Sequence, residues 1–162
     1  MSNALREVDL ENSSGEASLT IRAEVAAQPD TVWSFLTEPA LLLQWSPVVP
    51  DRDLTEIGPA FTEDPDDEAL DATVISSTPP RSLSHKWGEG RLDWDVQDTL
   101  EGCLITLTQQ LNDVEDAAQA AAGWHLCFDD LALALGSAAH PQALEPEAYW
   151  GSLVERYQKH FS

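Results

Sequence analysis

The sequence predicts an α+β fold, a curved antiparallel sheet wrapped on a long C-terminal helix, with two short helices after the first strand. Three features carry this prediction. Two-residue apolar alternation recurs in runs between residues 19 and 111, as half-buried strands require. A sustained three-and-four spacing runs through 113–135, the mark of a helix with one buried stripe. Between the first strand and the rest lie short apolar runs opened by Pro29 and Pro39. At 162 residues and 43% apolar content, the chain has the length of one domain and enough material for its own core. Neither disulfides nor metal are needed to fold it.

Residues 1–17 are polar and acidic, include Ser13-Ser14-Gly15, and read as a disordered lead-in; 18–162 read as a single domain. Leu19, Ile21, Ala23 and Val25 alternate with Thr20, Arg22 and Glu24 to give the first strand. Gln28-Pro29-Asp30 opens a short helix filled by Val32, Trp33, Phe35 and Leu36. Thr37-Glu38-Pro39 caps a second, which carries Leu41, Leu42, Leu43 and Trp45 and ends at Ser46-Pro47. Short strands are expected at 53–57 and 60–62 around Gly58-Pro59, then an acidic loop from Glu63 to Glu68. Strands follow at 70–77, 82–88, 91–98 and 103–111, with turn chemistry at Pro79-Pro80, Gly88-Glu89-Gly90 and Glu101-Gly102.

Centring the last turn on Glu101-Gly102 pairs Leu100 with Cys103, Val96 with Leu107, Trp94 with Gln109 and Leu92 with Leu111. The apolar residues of both strands, Leu100 included, then share one face, and a one-residue slip would move them all into water. The same parity turns Leu83, His85 and Trp87 inward. Val114, Ala117, Ala121, Trp124, Phe128, Leu131 and Leu135 form the stripe of the long helix, with Asp113, Glu115 and Asp116 in its first turn and Gly136 as a stop. A connector from Gly136 to Pro146 leads to a closing helix over 147–161 that carries Trp150, Leu153, Tyr157 and Phe161.

Twenty-nine acidic against eight basic residues give a net charge of −21. Phosphate binding needs clustered Lys and Arg, so nucleic acid is excluded as a partner, and anionic membrane surfaces are disfavoured. No apolar run reaches 18 residues, so no membrane insertion is expected. Glu7, Asp9, Glu11 and Glu16 stand where a signal peptide would need a basic start and an apolar core. Cys103 and Cys127 lack metal-type spacing and fit free thiols in a reducing cytoplasm. His85, His125, His140 and His160 are scattered without zinc spacing. The acidic loop lacks the glycine and distal Glu of a calcium loop. There is neither a nucleophile elbow nor a phosphate-binding glycine loop, so no cofactor is expected.

The run Pro29-Asp30-Thr31-Val32-Trp33, then Thr37-Glu38-Pro39-Ala40-Leu41 up to Trp45, resembles the opening of helix-grip (START-like, SRPBCC) proteins. Val74-Ile75 leading to Pro79-Pro80, Leu83 and Trp87, then Gly123-Trp124-His125 with Leu131 beyond, continue the likeness. Within that superfamily the chain is most similar to the group named after the C-terminal domain of the activator of Hsp90 ATPase, over roughly residues 18–135. The resemblance implies a six- or seven-stranded sheet gripping the C-terminal helix, with an apolar cavity between them. It implies binding of hydrophobic small molecules, with a minority of members acting as polyketide cyclases or aromatases. The chain departs from the pattern in the acidic 62–69 region and in Glu101-Gly102-Cys103, which stands where a Gly-x-Gly-Thr is usual.

Trp33, Trp87, Trp94, Trp124 and Phe128 fall on predicted inward faces, where they either line a small-molecule cavity or fill the core. His85 and Gln109 share the apolar face and must pair with each other or the backbone, or address the polar end of a ligand. His125 and Asp129, one turn apart, suit a structural pair rather than a catalytic dyad. Gly123 within the long helix suits close packing or a slight bend.

The expected function is a non-catalytic domain that binds a neutral or cationic hydrophobic molecule through Trp33, Trp87, Trp94, Trp124 and Phe128, with His85 and Gln109 orienting its polar end, as a monomer or homodimer. One alternative is a cyclase, aromatase or hydrolase with His85 as acid or base. Another is a chaperone ATPase activator, although the eukaryotic co-chaperone carries a further N-terminal domain for which 162 residues leave no room.

Overall fold

The computed structural model describes residues 5–13, 16–46, 49–62, 68–88, 90–100, 102–111, 114–135 and 146–161. Its strands are β1 (Leu5–Ser13), β2 (Glu16–Val25), β3 (Val74–Thr78), β4 (Ser82–Trp87), β5 (Gly90–Asp98) and β6 (Cys103–Leu111). The helices are α1 (Pro29–Thr37), α2 (Pro39–Leu42), α3 (Ala117–Ala134) and α4 (Pro146–Phe161), with a 3-10 turn at Val114–Asp116 leading into α3. The strands form one six-stranded antiparallel sheet in the order β1-β2-β6-β5-β4-β3. Most of the acidic loop (63–67) and of the connector (136–145) lie outside the described residues.

Parity fixes the inner face as expected. Leu19, Ile21, Ala23 and Val25 of β2 are buried beside Cys103, Ile105 and Leu107 of β6. Leu92, Trp94 and Val96 of β5 follow, then Leu83 and His85 of β4. Ala121, Trp124, Phe128 and Leu131 of α3 cover that face and are themselves buried. α3 lies against β1 and β2, α1 against β5, and α4 along α3, to which it contributes buried Leu153 and Tyr157.

Four expectations are corrected. The first concerns the acidic lead-in: residues 5–13 form β1, paired with β2 through Val8↔Ile21 and Leu10↔Leu19. Val8 is buried while Asp9 and Glu11 are exposed, so the segment alternates like any half-buried strand and its charge disguised that period. Arg22 on β2 reaches Asp9 across the pair at 3.1 Å.

The second concerns 53–57 and 60–62, which form no strands. Isolated bridges tie Pro50 to Thr62, Gly58 to Val74 and Phe61 to Asp71. The Arg52 guanidinium donates to the carbonyls of Asp53, Gly58 and Pro59, doing for this loop what a ladder does for a strand. The third concerns Thr37. It closes α1, its hydroxyl donating to the Trp33 carbonyl at 2.9 Å, and α2 starts from Glu38 without a side-chain cap.

The fourth concerns the last hairpin, whose register is two residues from the expected one. Leu92 faces Gln109, Trp94 faces Leu107, and Asp98 faces Cys103. The loop is longer, and Thr99 N–H donates to the Gly102 carbonyl at 2.9 Å. A two-residue shift preserves every face, which is why the expected core is right although the partners are not. Leu100 is thereby fully exposed in the loop instead of opposite Cys103. Gly102 passes so close to the end of β2 that a Cβ would strike the Val25 carbonyl and sit 2.9 Å from Ala26 Cα.

Candidate small-molecule site

The centre of the molecule is an aromatic cluster between β5 and α3. Trp94 meets Trp124 edge-on at 5.7 Å between ring centroids, and Phe128 lies 6.3 Å from both. Trp45, from the turn after α2, closes it at 5.8 Å from Trp94 and 5.9 Å from Phe128. Its indole N–H donates to the Phe35 carbonyl. Trp87 at the end of β4 touches Trp124 at 5.9 Å and is only half-buried. Edge-to-face packing of this kind fills space and adds quadrupole attraction. Trp33 stands apart, its indole donating to Thr55 Oγ1 at 3.1 Å beneath the 49–62 segment.

The two polar residues of the inner face each accept from a tryptophan. Trp94 Nε1–H donates to His85 Nε2 at 3.1 Å, so the proton of the neutral ring lies on Nδ1, within 3.0 Å of the Lys86 carbonyl. Burial pushes the pKa of His85 down, which favours this neutral tautomer. Both ring nitrogens are therefore committed. Trp124 Nε1–H donates to Gln109 Oε1 at 2.8 Å. His85 and Gln109 thus find indoles rather than each other.

Open space begins where the cluster ends. A hollow of about 250 Å³ is lined by Trp87, Gln109, Trp124 and, from α3, Gln119, Ala120, Gly123 and Cys127. A wider cleft of about 560 Å³ shares Trp87, Gln109, Gln119 and Ala120 with it. That outer part adds Leu70, Gly88, Gly90, Gln110, Leu111 and Asp116. Burial and nearby Asp130 push the Cys127 thiol up to about 12, so it serves as a wall rather than a nucleophile.

Of the seven residues singled out from sequence, Trp87, Gln109 and Trp124 meet at this cleft. Trp94, Phe128 and His85 lie behind it in the filled core, and Trp33 lies elsewhere. Gln119, Ala120 and Cys127 were missed. They form a stripe at three and four spacing with Asp116 and Gly123, beside the large-residue stripe that identified the helix.

On the far side of α3, His125 and Asp129 form the expected i,i+4 pair at 3.6 Å, both almost fully buried. His125 Nδ1 lies 2.8 Å from the Tyr157 hydroxyl of α4. Burial, helped by Arg156, lowers His125 to about 4, so at neutral pH this is a polar contact rather than an ion pair. The group ties α4 to α3. Among the described residues no three His, Cys, Asp or Glu side chains gather as a metal site, and no helix is long and apolar enough to cross a membrane.

Residues 26–136 match the model of the family described as activator of Hsp90 ATPase homolog 1-like protein. No curated protein matches the chain. Among solved structures, a conserved protein of unknown function from Enterococcus faecalis superposes with a TM-score of 0.74 at 18% identity, over 96% of this chain and 93% of that one. CalU16 from Micromonospora echinospora gives 0.73 at 18% identity, over 96% and 97%. DynU16, a protein of the dynemicin biosynthetic locus, gives 0.65 at 22% identity, over 73% of this chain and 46% of its own. At these identities the likeness is one of fold.

Proposed function

We propose that this chain, which belongs to the activator of Hsp90 ATPase homolog 1-like family, binds a small hydrophobic molecule in the cleft between Trp87, Gln109 and the first half of α3. One observation carries the reading. The hollow is walled by two indoles, Ala120, Gly123 and an inert thiol, with the carboxamides of Gln109 and Gln119 as its polar groups. Apolar walls with a few placed polar groups are the usual make-up of a small-molecule site. Trp45, Trp94 and Phe128 pack on one another behind this cleft, so the proposed ligand takes the open space beside Trp87 and Gln109. An enzymatic role using His85 gains no support here, since both of its nitrogens are bound within the protein.

The test is titration with N-phenyl-1-naphthylamine, a neutral dye that brightens in apolar surroundings. It is expected to bind the wild type and to lose binding in Ala120→Trp, which fills the hollow from α3. Because Ala120 is only partly buried, unfolding free energy should change by less than about 1 kcal/mol. Equal dye binding by both proteins would overturn the site, and no binding by the wild type would overturn the function.

A further inference from the structure

Resting on that reading, we infer that the cleft selects an amphiphile whose polar end is uncharged and accepts hydrogen bonds, the apolar body filling the inner hollow and the head group meeting Gln109. An indole N–H can only donate, so the bond from Trp124 fixes which end of the Gln109 carboxamide is oxygen. Its NH2 is then the end left over, and among the described residues no acceptor meets it. Gln109 lines both the hollow and the outer cleft, as do Trp87, Gln119 and Ala120, so the residue that carries this donor sits where the two meet. The hollow is walled by Trp87, Ala120, Gly123, Trp124 and Cys127, with Gln119 shared beside Gln109 where it opens, and the outer cleft adds Gln110 and Asp116 alongside Leu70 and Leu111. Polarity therefore rises from the hollow to the mouth, the order an amphiphile presents.

The charge of the head group follows from the same lining. A carboxylate could accept from Gln109, but among the described residues no Lys or Arg lines either part of the cleft, and Asp116 stands at the mouth of a chain carrying −21. Burying an anion there would leave it without a counter-charge. A cation would meet the positive end of the Gln109 dipole and offer it no acceptor. Its attraction to Asp116 is that of an exposed, solvent-screened charge. A neutral acceptor, such as a hydroxyl, ether or carbonyl oxygen, satisfies the donor without either cost.

The experiment holds the tail constant and varies the head. Octyl β-glucoside, octanoate and octyltrimethylammonium are titrated at neutral pH below their micelle concentrations, followed by tryptophan fluorescence. The glucoside is expected to bind about tenfold more tightly than either ion, the scale of one well-made hydrogen bond. Gln109→Glu keeps the acceptor for Trp124 but exchanges the NH2 donor for an oxygen, and should weaken glucoside binding by about tenfold. An unchanged glucoside affinity in Gln109→Glu would overturn the assignment, as would an ionic probe binding as well as the glucoside. The wild-type series decides the matter even if Gln109→Glu does not fold. If the naphthylamine dye binds and the glucoside has no advantage, only the head-group inference falls; if nothing binds, the site itself falls.

Discussion

Trp94 and Trp124 touch each other and make the same kind of bond, yet they belong to different regions of the molecule. Trp94 donates to a histidine that is buried and has its second nitrogen on a backbone carbonyl, so that end is closed and chemically finished. Trp124 donates to a glutamine beside open space, and the acceptor has a second group to spare. The difference is one of valence. A side chain with two hydrogen-bonding ends is structural when both meet protein; when one does not, that end is open to water or, on the proposed reading, to a ligand.

The largest effects should separate these two regions. Trp94→Ala is expected to cost about 3–5 kcal/mol in urea unfolding, since it empties the centre of the aromatic cluster. Trp87→Ala, at a half-buried ring, should cost less than about 2 kcal/mol while abolishing binding of the naphthylamine dye. Similar stability losses for both would erase the distinction between closed core and open cleft.

A second contrast is pH dependence. His85 and His125 have folded-state pKa values below the ordinary 6.5, His125 near 4. The unfolded chain therefore takes up protons first. The stability contributed is fully present above 6.5 and is lost as pH falls from 6.5 through 4, by up to about 3 kcal/mol for His125. Urea midpoints measured across this range should decline, and His125→Asn should flatten the decline. The carboxamides of the cleft add no titration of their own. The smallest effect belongs to the loop joining β5 and β6, where Leu100→Ser should change stability by no more than about 0.5 kcal/mol. A loss of several kcal/mol would restore Leu100 to the core and with it the shorter turn.

Much of the frame was legible because period survives composition. The alternation at Leu19–Val25 and Leu92–Val96, and the stripe from Ala121 to Leu131, report their faces directly. Loop length does not leave such a trace, so the hairpin was placed two residues off while its faces came out right. β1 escaped notice because Glu7, Asp9 and Glu11 outweighed Val8 and Leu10 in any reading by polarity. The site was half legible. Trp87, Gln109 and Trp124 announce themselves by size or by polarity on an apolar face. Ala120, Gly123 and Cys127 are recognisable only by the room they leave, and room is a property of three elements together.

The strand at Leu5–Ser13 also changes what the molecule shows to its own copies. Without it the sheet would end on β2, a long strand with bare N–H and C=O groups ready to accept another chain. With it, that boundary is β1, whose Asp9 and Glu11 side chains are exposed, and a second β1 laid alongside would meet like charge. The opposite boundary, β3, is only five residues long, and its pairing is interrupted between Val74 and Ser76. Each margin thus carries a feature that disfavours strand addition, like charge on one and brevity on the other.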